Sequence, residues 1–312
     1  MAFREPVRTR AVELGDAGVL RPGEWRGLRA IGWMIALTVA LVAAYGLVQA
    51  AMAFVGSART GVPPTRPDLM PQAVMVAALL LGSAAVAALY VTLVRRFEKR
   101  RVSEFARGRA LSELAAGLGV GAAVMLATGA VLWATGWGVF TARPVSAVVK
   151  ALSIAVQSGT VEEIMFRGVI LRLLWRGAGP WWALALSALL FGGLHLGNPD
   201  ATPFAALCIA LEAGVLLAAF YMLTGLLWMS IGVHAGWNFT QGWVLGAAVS
   251  GSSGFVGGPL AHAPAQGVSA MLSGGGFGPE ASLPALLLCT ATGVAVLARA
   301  RRLGRLANDV PR

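Results

Sequence analysis

The chain has 312 residues, of which 57% are hydrophobic and only 12% are charged, and its mean hydropathy is +0.72. A soluble domain carries about 25% charged residues to wet its surface, so this composition excludes a pair of soluble domains and indicates an integral membrane protein. The net charge of +11 would suit a nucleic-acid-binding protein if the basic residues formed one patch. They are instead separated into short segments between apolar runs, as membrane topology requires, and we expect no nucleic-acid partner.

Eight apolar runs are each long enough to cross the lipid bilayer as a helix, which needs roughly 20 residues for a hydrocarbon core of about 30 Å. Their approximate bounds are 31–56, 72–94, 112–136, 147–174, 180–197, 204–224, 226–248 and 283–299. The sequence therefore predicts an all-α, polytopic membrane protein with about eight transmembrane helices. Seven helices are the nearest alternative, because only Gly225 separates the sixth run from the seventh.

The positions of the basic residues orient the chain, because cytoplasmic loops of membrane proteins carry most of the Lys and Arg. Six basic residues precede the first run, seven lie between the second and third, and five occur from Arg299 onward. We therefore expect a multi-pass protein of the cell membrane. Its basic segments 1–30 and 300–312 would both be cytoplasmic, and the first three helices would occupy 31–136.

The segment 249–282, before the last predicted helix, is rich in Gly, Ser, Ala and Pro and contains no Lys or Arg. This composition predicts a flexible outer loop. Within it, His262 lies among Ala and Pro residues, and we expect it to be a solvated loop histidine.

Three ionisable residues lie within six positions of the fourth run: Glu162, Glu163 and Arg167. An ionisable side chain in a transmembrane helix costs a few kcal/mol, so it is a functional hypothesis by default. Glu163 and Arg167 are four residues apart and can pair along the helix. Glu162 points about 100° away from Glu163, so it is left to face another group.

Two other runs carry polar residues at a similar depth. His195 ends the fifth run, and His234 and Asn238 share one helix face of the seventh. At about 1.5 Å rise per residue, Glu162, His195 and His234 all fall in the middle third of the membrane. Three helices could therefore converge on one polar chamber at mid-membrane.

Such a chamber suits hydrolysis, because a carboxylate and an imidazole can activate water, and His and Asn donors can stabilise an oxyanion. Glu162, His195 and His234 also have the ligand types of a catalytic zinc site, although the compact HExxH pattern is absent. A divalent metal such as zinc is therefore permitted but not established, with these three residues as its candidate ligands.

Together, these residues resemble the motifs of the CPBP intramembrane protease family, also called the ABI or Rce1-like CAAX protease group. The family's EExxxR, FxxxH and HxxxN motifs are similar to Glu162, Glu163 and Arg167, to Phe191 and His195, and to His234 and Asn238. Each motif alone is weak, but three in this order within apolar runs are specific. The resemblance covers about 150–248 and suggests a protease core at 147–248.

The resemblance implies an intramembrane endopeptidase that hydrolyses a peptide bond of a membrane-associated protein or peptide. Glu162 and His195 would activate water, and His234 and Asn238 would hold the oxyanion. Glu163 and Arg167 would support the site. Members of the family are usually named metalloproteases, although a metal-independent glutamate mechanism has been argued for relatives. The motifs describe a hydrolytic centre and do not identify its substrate.

Two other functions are compatible with buried ionisable residues. A proton- or metal-coupled transporter also uses them, but transporters often show two related halves, whereas the polar residues here cluster in one half. A catalytically inactive membrane scaffold is the third alternative.

Other apolar runs contain small or polar residues. For Glu212, in the sixth run, two interpretations are equally supported: a structural hydrogen bond and a secondary role in the site. The glycines Gly117, Gly121, Gly192 and Gly193 are expected to allow close helix packing.

Overall fold

The computed structural model describes residues 10–307. Arg4, Arg8 and Arg312 lie outside the described residues, so the predicted basic segments 1–30 and 300–312 are covered only in part. Within the described range the chain is mainly helical, with one two-stranded antiparallel sheet. The predicted all-α class is confirmed.

Eleven α-helices and two strands are described, and α-helices are found in all eight predicted runs. The helices are α1 (Arg26–Thr60), α2 (Gln72–Leu93), α3 (Ala110–Ala134), α4 (Val148–Glu163), α5 (Arg172–Ala178), α6 (Pro180–Leu194), α7 (Pro203–Ile209), α8 (Leu216–Thr224), α9 (Leu227–Phe239), α10 (Ala270–Ser273) and α11 (Leu283–Arg302). The strands are β1 (Gly138–Ala142) and β2 (Leu260–Pro264).

Four helices continue through π-helical segments, in which each turn holds an extra residue. Ile164–Leu171 joins α4 to α5, and Ala210–Val215 joins α7 to α8. Two more follow α2 and α9, at Val94–Glu98 and Thr240–Val244. Segments of this kind are frequent at functional sites, and Ile164–Leu171 contains Arg167.

Six helical segments of the described chain are long and apolar enough to cross a membrane. They correspond to all the predicted runs except 147–174 and 226–248, the two that carry the Glu, Arg, His and Asn residues of the first and third motifs. Large apolar side chains such as those of Leu28, Val39 and Leu47 are exposed along α1. A surface of this kind fits a lipid environment, and the protein is a multi-pass membrane protein.

Helix α9 lies between α3 and α4, and glycines bring these backbones into contact. A methyl group at Gly121 would lie 2.1 Å from the carbonyl oxygen of Val233, and one at Gly117 would lie 2.4 Å from that of Met229. Likewise, a methyl group at Gly232 of α9 would lie 2.5 Å from the carbonyl oxygen of Leu114. Because no larger residue fits here, the expected packing role of Gly117 and Gly121 is confirmed, and α9 is held close to its neighbours.

The other glycine pair behaves differently at its two positions. A methyl group at Gly192 would lie 2.3 Å from the carbonyl oxygen of Ala206, so this glycine does allow α6 to approach α7. No described atom outside the helix's own backbone lies within 4 Å of the same position on Gly193. The packing role expected for Gly193 is therefore wrong, because its face of α6 is not covered by another helix.

At the basic end of the bundle, the side chains of Arg100, Arg172 and Arg176 are buried. Arg172 donates two hydrogen bonds to Glu98, at 2.9 and 2.6 Å, and neither side chain is exposed. Arg100 donates to both Glu98 and Glu104, and Arg176 donates to backbone carbonyls of the N-terminal segment. Charges at this end therefore connect the N-terminal helices to α5, besides any role in topology.

The flexible loop expected at 249–282 is instead folded. Its strand β2 pairs antiparallel with β1, with Phe140 opposite His262. The rings of these two residues are 4.9 Å apart, and burial lowers the pKa of His262 to about 4. The expectation of a solvated His262 is therefore wrong, because β1 supplies a partner strand that the hydropathy pattern did not reveal.

Candidate active site

Glu163 and Arg167 form a buried ion pair at the start of the π-helical segment after α4. Glu163 Oε1 accepts a hydrogen bond from Arg167 Nη1 at 2.9 Å, and the two side chains are 0% and 2% exposed. Arg167 also donates to the carbonyl oxygens of Ala213 and Gly214, at 2.6 and 3.4 Å. Its guanidinium lies over the Phe191 ring, 4.9 Å from the ring centre. The predicted pairing along the helix is confirmed.

His234 on α9 faces both glutamates of α4. Its Nδ1 lies 2.9 Å from Glu163 Oε1, and its Nε2 lies 3.9 Å from Glu162 Oε2. An ionised carboxylate only accepts hydrogen bonds, so Nδ1 carries the hydrogen in the bond to Glu163. Glu163 thereby fixes the orientation of the imidazole ring and directs Nε2 towards Glu162.

Glu162 differs from its neighbour in exposure. Its side chain is 32% exposed, whereas that of Glu163 is fully buried. It also interacts electrostatically with Tyr45 of α1. The spacing predicts that Glu162 faces a group of its own, and in the structure this group is His234.

Asn238 and Ser158 extend the site along α9 and α4. The side-chain amide of Asn238 donates to Ser158 Oγ at 3.0 Å, and both residues are buried. Because an amide has two N–H groups, the second remains available to a ligand. His234 and Asn238 point to the same side of α9, as their spacing predicted. Ser158 was missed, although it lies four residues before Glu162 and so on the same side of α4.

His195 directly follows α6, and its side chain contacts the last turn of that helix. Its Nδ1 lies 2.7 Å from the carbonyl oxygen of Phe191, and the two rings are 4.8 Å apart. The Phe191 ring in turn lies 6.4 Å from that of His234. No hydrogen bond joins Glu162 to His195 among the described residues, so the two residues that the resemblance assigns to water activation are not in direct contact.

A small cavity brings the two histidines together. It is lined by His195, His234, Asn238, Ser250 and Glu280, with an apolar wall formed by Phe191, Ile209, Ala213, Leu217 and Trp237. The volume open to the centres of water molecules is about 20 Å³, and one water needs about 10–15 Å³ by this measure. The cavity therefore has room for about one water beside the two imidazoles and the amide.

Glu280 is the one acidic residue of the cavity wall. It lies in the short 3₁₀ helix Pro279–Ala281, just before α11, and is 1% exposed. Burial raises the pKa of Glu280 to about 8, although the nearby Ser250 and His234 oppose this shift. Glu280 was not predicted as a site residue from the sequence. A signal was present, because Glu280 is the only Asp, Glu, Lys or Arg within 249–282.

Glu212, by contrast, does not line the cavity. It is fully buried in the π-helical segment Ala210–Val215 and interacts with the thiols of Cys208 and Cys289. Of the two roles considered for Glu212, this position favours the structural one.

The side chains do not fit the zinc site that their residue types permitted. Within residues 10–307, no group of three or more His, Cys, Asp or Glu side chains is placed to hold a metal ion. Glu162 and His234 lie on one side of the site, and His234 Nδ1 already bonds to Glu163. His195 contacts neither glutamate.

Comparison with known proteins identifies the segment that contains the site. Residues 144–240 match the family model described as type II CAAX prenyl endopeptidase Rce1-like. No curated protein and no solved structure was found to match the chain. The matched segment includes Glu162, Glu163, Arg167, His195, His234 and Asn238, and it ends before Glu280. The resemblance inferred from the three motifs is confirmed.

Proposed function

We propose that the protein hydrolyses a peptide bond of a membrane-associated protein or peptide within the membrane. Residues 144–240 match the Rce1-like endopeptidase family, and the protein is therefore a peptidase. The observation that carries this proposal is the cavity shared by His195, His234 and Asn238, with Glu162 3.9 Å from His234. A general base, hydrogen-bond donors and space for water at one place are the requirements of peptide hydrolysis.

In the proposed reaction, Glu162 and His195 remove a proton from a water molecule as it attacks the scissile carbonyl carbon. The developing oxyanion accepts hydrogen bonds from the free N–H of Asn238 and from Nε2–H of His234, whose ring carries a hydrogen on both nitrogens in this step because Nδ1–H is held by Glu163. Glu162 receives the proton of the water while His195 accepts a hydrogen bond from the same water, and Glu162 then passes the proton to the leaving amine as the C–N bond breaks. His195 lies in the cavity wall, whereas Glu162 lies outside it and approaches the water beside Nε2 of His234, which is 3.9 Å from Glu162 Oε2.

Glu163 and Arg167 support this reaction without contacting the substrate. Glu163 holds Nδ1 of His234, and Arg167 compensates the buried charge of Glu163. Arg167 is itself fixed by carbonyl oxygens of the π-helical segment Ala210–Val215. The two residues therefore position the oxyanion donor.

For the location of the chain, we propose the cell membrane with both termini in the cytoplasm. The support is the concentration of Lys and Arg before α1, between α2 and α3, and at the end of α11. Labelling of single cysteines introduced at Arg107 and at Ala263 tests this topology. A membrane-impermeant maleimide should reach the cysteine at Ala263 in intact cells and not the one at Arg107.

The catalytic proposal is tested with the purified protein and an internally quenched peptide that ends in a prenylated CAAX sequence, chosen because the family description names such substrates. Glu162→Ala and His195→Ala should each abolish cleavage while leaving expression and the melting temperature unchanged. Glu212→Gln is the matched control, because it alters a buried acid outside the cavity. Cleavage by His195→Ala at the wild-type rate would contradict the catalytic assignment.

The natural substrate requires a second experiment. Membrane proteomes of cells that contain the wild-type or the Glu162→Ala protein are compared, and fragments present only with the wild type identify the target. If the peptide is not cleaved and no fragment differs, the transporter and scaffold alternatives gain support.

A further inference from the structure

Glu280 brings an acidic group to the cavity wall, from outside the segment that matches the family. One of its oxygens is fixed, because Oε1 accepts hydrogen bonds from the backbone N–H of Ser250 and from Ser250 Oγ, the latter at 3.0 Å. Ser250 follows the π-helical extension of α9, so this contact ties the two ends of the segment 249–282 together beside the cavity.

The other oxygen of Glu280 is not used by the fold. Glu280 Oε2 is buried and has no geometrically formed hydrogen bond among the described residues. The Trp237 side chain also interacts with the carboxyl group, but the indole N–H of Trp237 donates to Gln241 Oε1, at 3.1 Å. A buried polar atom without a partner costs about 1–3 kcal/mol, and an apolar side chain of similar size would avoid this cost. The carboxyl group also interacts electrostatically with His234 across the cavity that both residues line.

Holding the outer segment does not require this oxygen. The segment is fixed by the pairing of β2 with β1 and by the hydrogen bond from the Gly251 N–H to the Phe277 carbonyl oxygen, at 2.8 Å. Ser250 also needs only Oε1. The stability of the segment therefore does not explain why Glu280 Oε2 lies unpaired in the wall of a cavity that His195, His234 and Asn238 also line. A ligand that bonds to this oxygen would explain it.

We propose that Glu280 is a substrate-binding residue, whose Oε2 forms a hydrogen bond with the main chain of the substrate peptide next to the scissile bond. This inference rests on the proposed peptidase function. It assigns the segment 249–282 a direct part in substrate recognition, with Ser250 as the residue that positions the carboxyl group. In the structure the cavity has room for only about one water, so its walls must separate for the main chain of the peptide to lie between Glu280 on one side and His234 with Asn238 on the other.

The test measures binding separately from cleavage. Binding of a fluorescent, prenylated CAAX peptide is measured by anisotropy with Glu162→Ala protein, which retains the cavity but cannot use its base. Adding Glu280→Leu should weaken binding about 10- to 100-fold, as expected for a lost hydrogen bond to an ionisable group. Adding Ser250→Ala should weaken it less, because the backbone N–H of Ser250 still holds Oε1. Melting temperatures are recorded for all variants.

Equal affinity of the Glu162→Ala proteins with and without Glu280→Leu, or no binding by either, would overturn the inference. Should Glu280→Leu fail to fold, Glu280→Ala replaces it under the same criterion. The two proposals fail in different ways. Loss of the peptidase function would appear as no cleavage by the wild type, whereas failure of the Glu280 inference would appear as unchanged binding.

Discussion

Replacing Glu163 by Gln should separate the support of the site from its chemistry. The substitution keeps the size of the side chain but removes the charge that compensates Arg167, at 2.9 Å and with both side chains buried. Breaking such a buried pair by removing one partner costs about 3–5 kcal/mol. Arg167 keeps the carbonyl oxygens of Ala213 and Gly214 and the Phe191 ring. We therefore expect a loss near the lower limit, about 3 kcal/mol.

Glu163→Gln should also reduce activity, because His234 loses the carboxylate that orients its ring. A hydrogen bond to a charged group contributes about 1.5–3 kcal/mol, so kcat/KM should fall about 10- to 100-fold. The measurements are denaturant unfolding in detergent and cleavage of the quenched peptide.

Glu162→Gln is the control for this prediction, because Glu162 is adjacent in the chain but 32% exposed and not paired with Arg167. It should abolish cleavage and change the free energy of unfolding by less than about 1 kcal/mol. If the two variants lost stability equally, the assignment of separate supporting and catalytic roles to the two glutamates would be wrong.

Two further predictions concern the fold. Glu98→Gln leaves Arg172 buried without its bidentate partner and should destabilise the protein by about 3–5 kcal/mol, whereas Asp68→Asn, which breaks a fully exposed pair, should leave the melting temperature unchanged. Equal shifts for these two variants would contradict the importance of burial. Gly121→Val forces α3 away from α9 and should lower the free energy of unfolding by at least about 1–3 kcal/mol. Gly119→Val should be tolerated, because no described atom outside the helix's own backbone lies within 4 Å of a methyl group at this position. Thermal unfolding in detergent measures both pairs, and equal losses for the two glycines would refute the packing argument.

Local spacing explains why much of the site could be predicted. The pairing of Glu163 with Arg167 and the common face of His234 and Asn238 depend only on helix geometry, in which residues four apart are neighbours. Depth in the membrane, counted along each helix, was enough to bring His195 to the same level. These predictions needed no knowledge of how the helices pack.

Contacts between distant segments could not be predicted in the same way. The strand pairing that folds 249–282 joins residues more than 100 positions apart, and strands of five residues give little periodic signal. Glu280 reaches the cavity only because of this folding. The burial of Arg172 likewise depends on Glu98, which belongs to the π-helical extension of α2, so the local sequence around Arg172 does not reveal it.

The π-helical segment Ile164–Leu171 has a consequence for the spacing of the chain. An extra residue in a helical turn advances the following side chains by about 100° relative to a regular α-helix. Because of this offset, one continuous helix, made of α4, the π-helical segment and α5, directs Glu163 towards His234 and Arg172 towards Glu98. Removing a single residue from the segment after Arg167 would leave all three motifs intact, yet it would rotate Arg172 away from Glu98. The Arg172–Glu98 contact therefore depends on the number of residues between Arg167 and Arg172 as well as on the identity of the two partners.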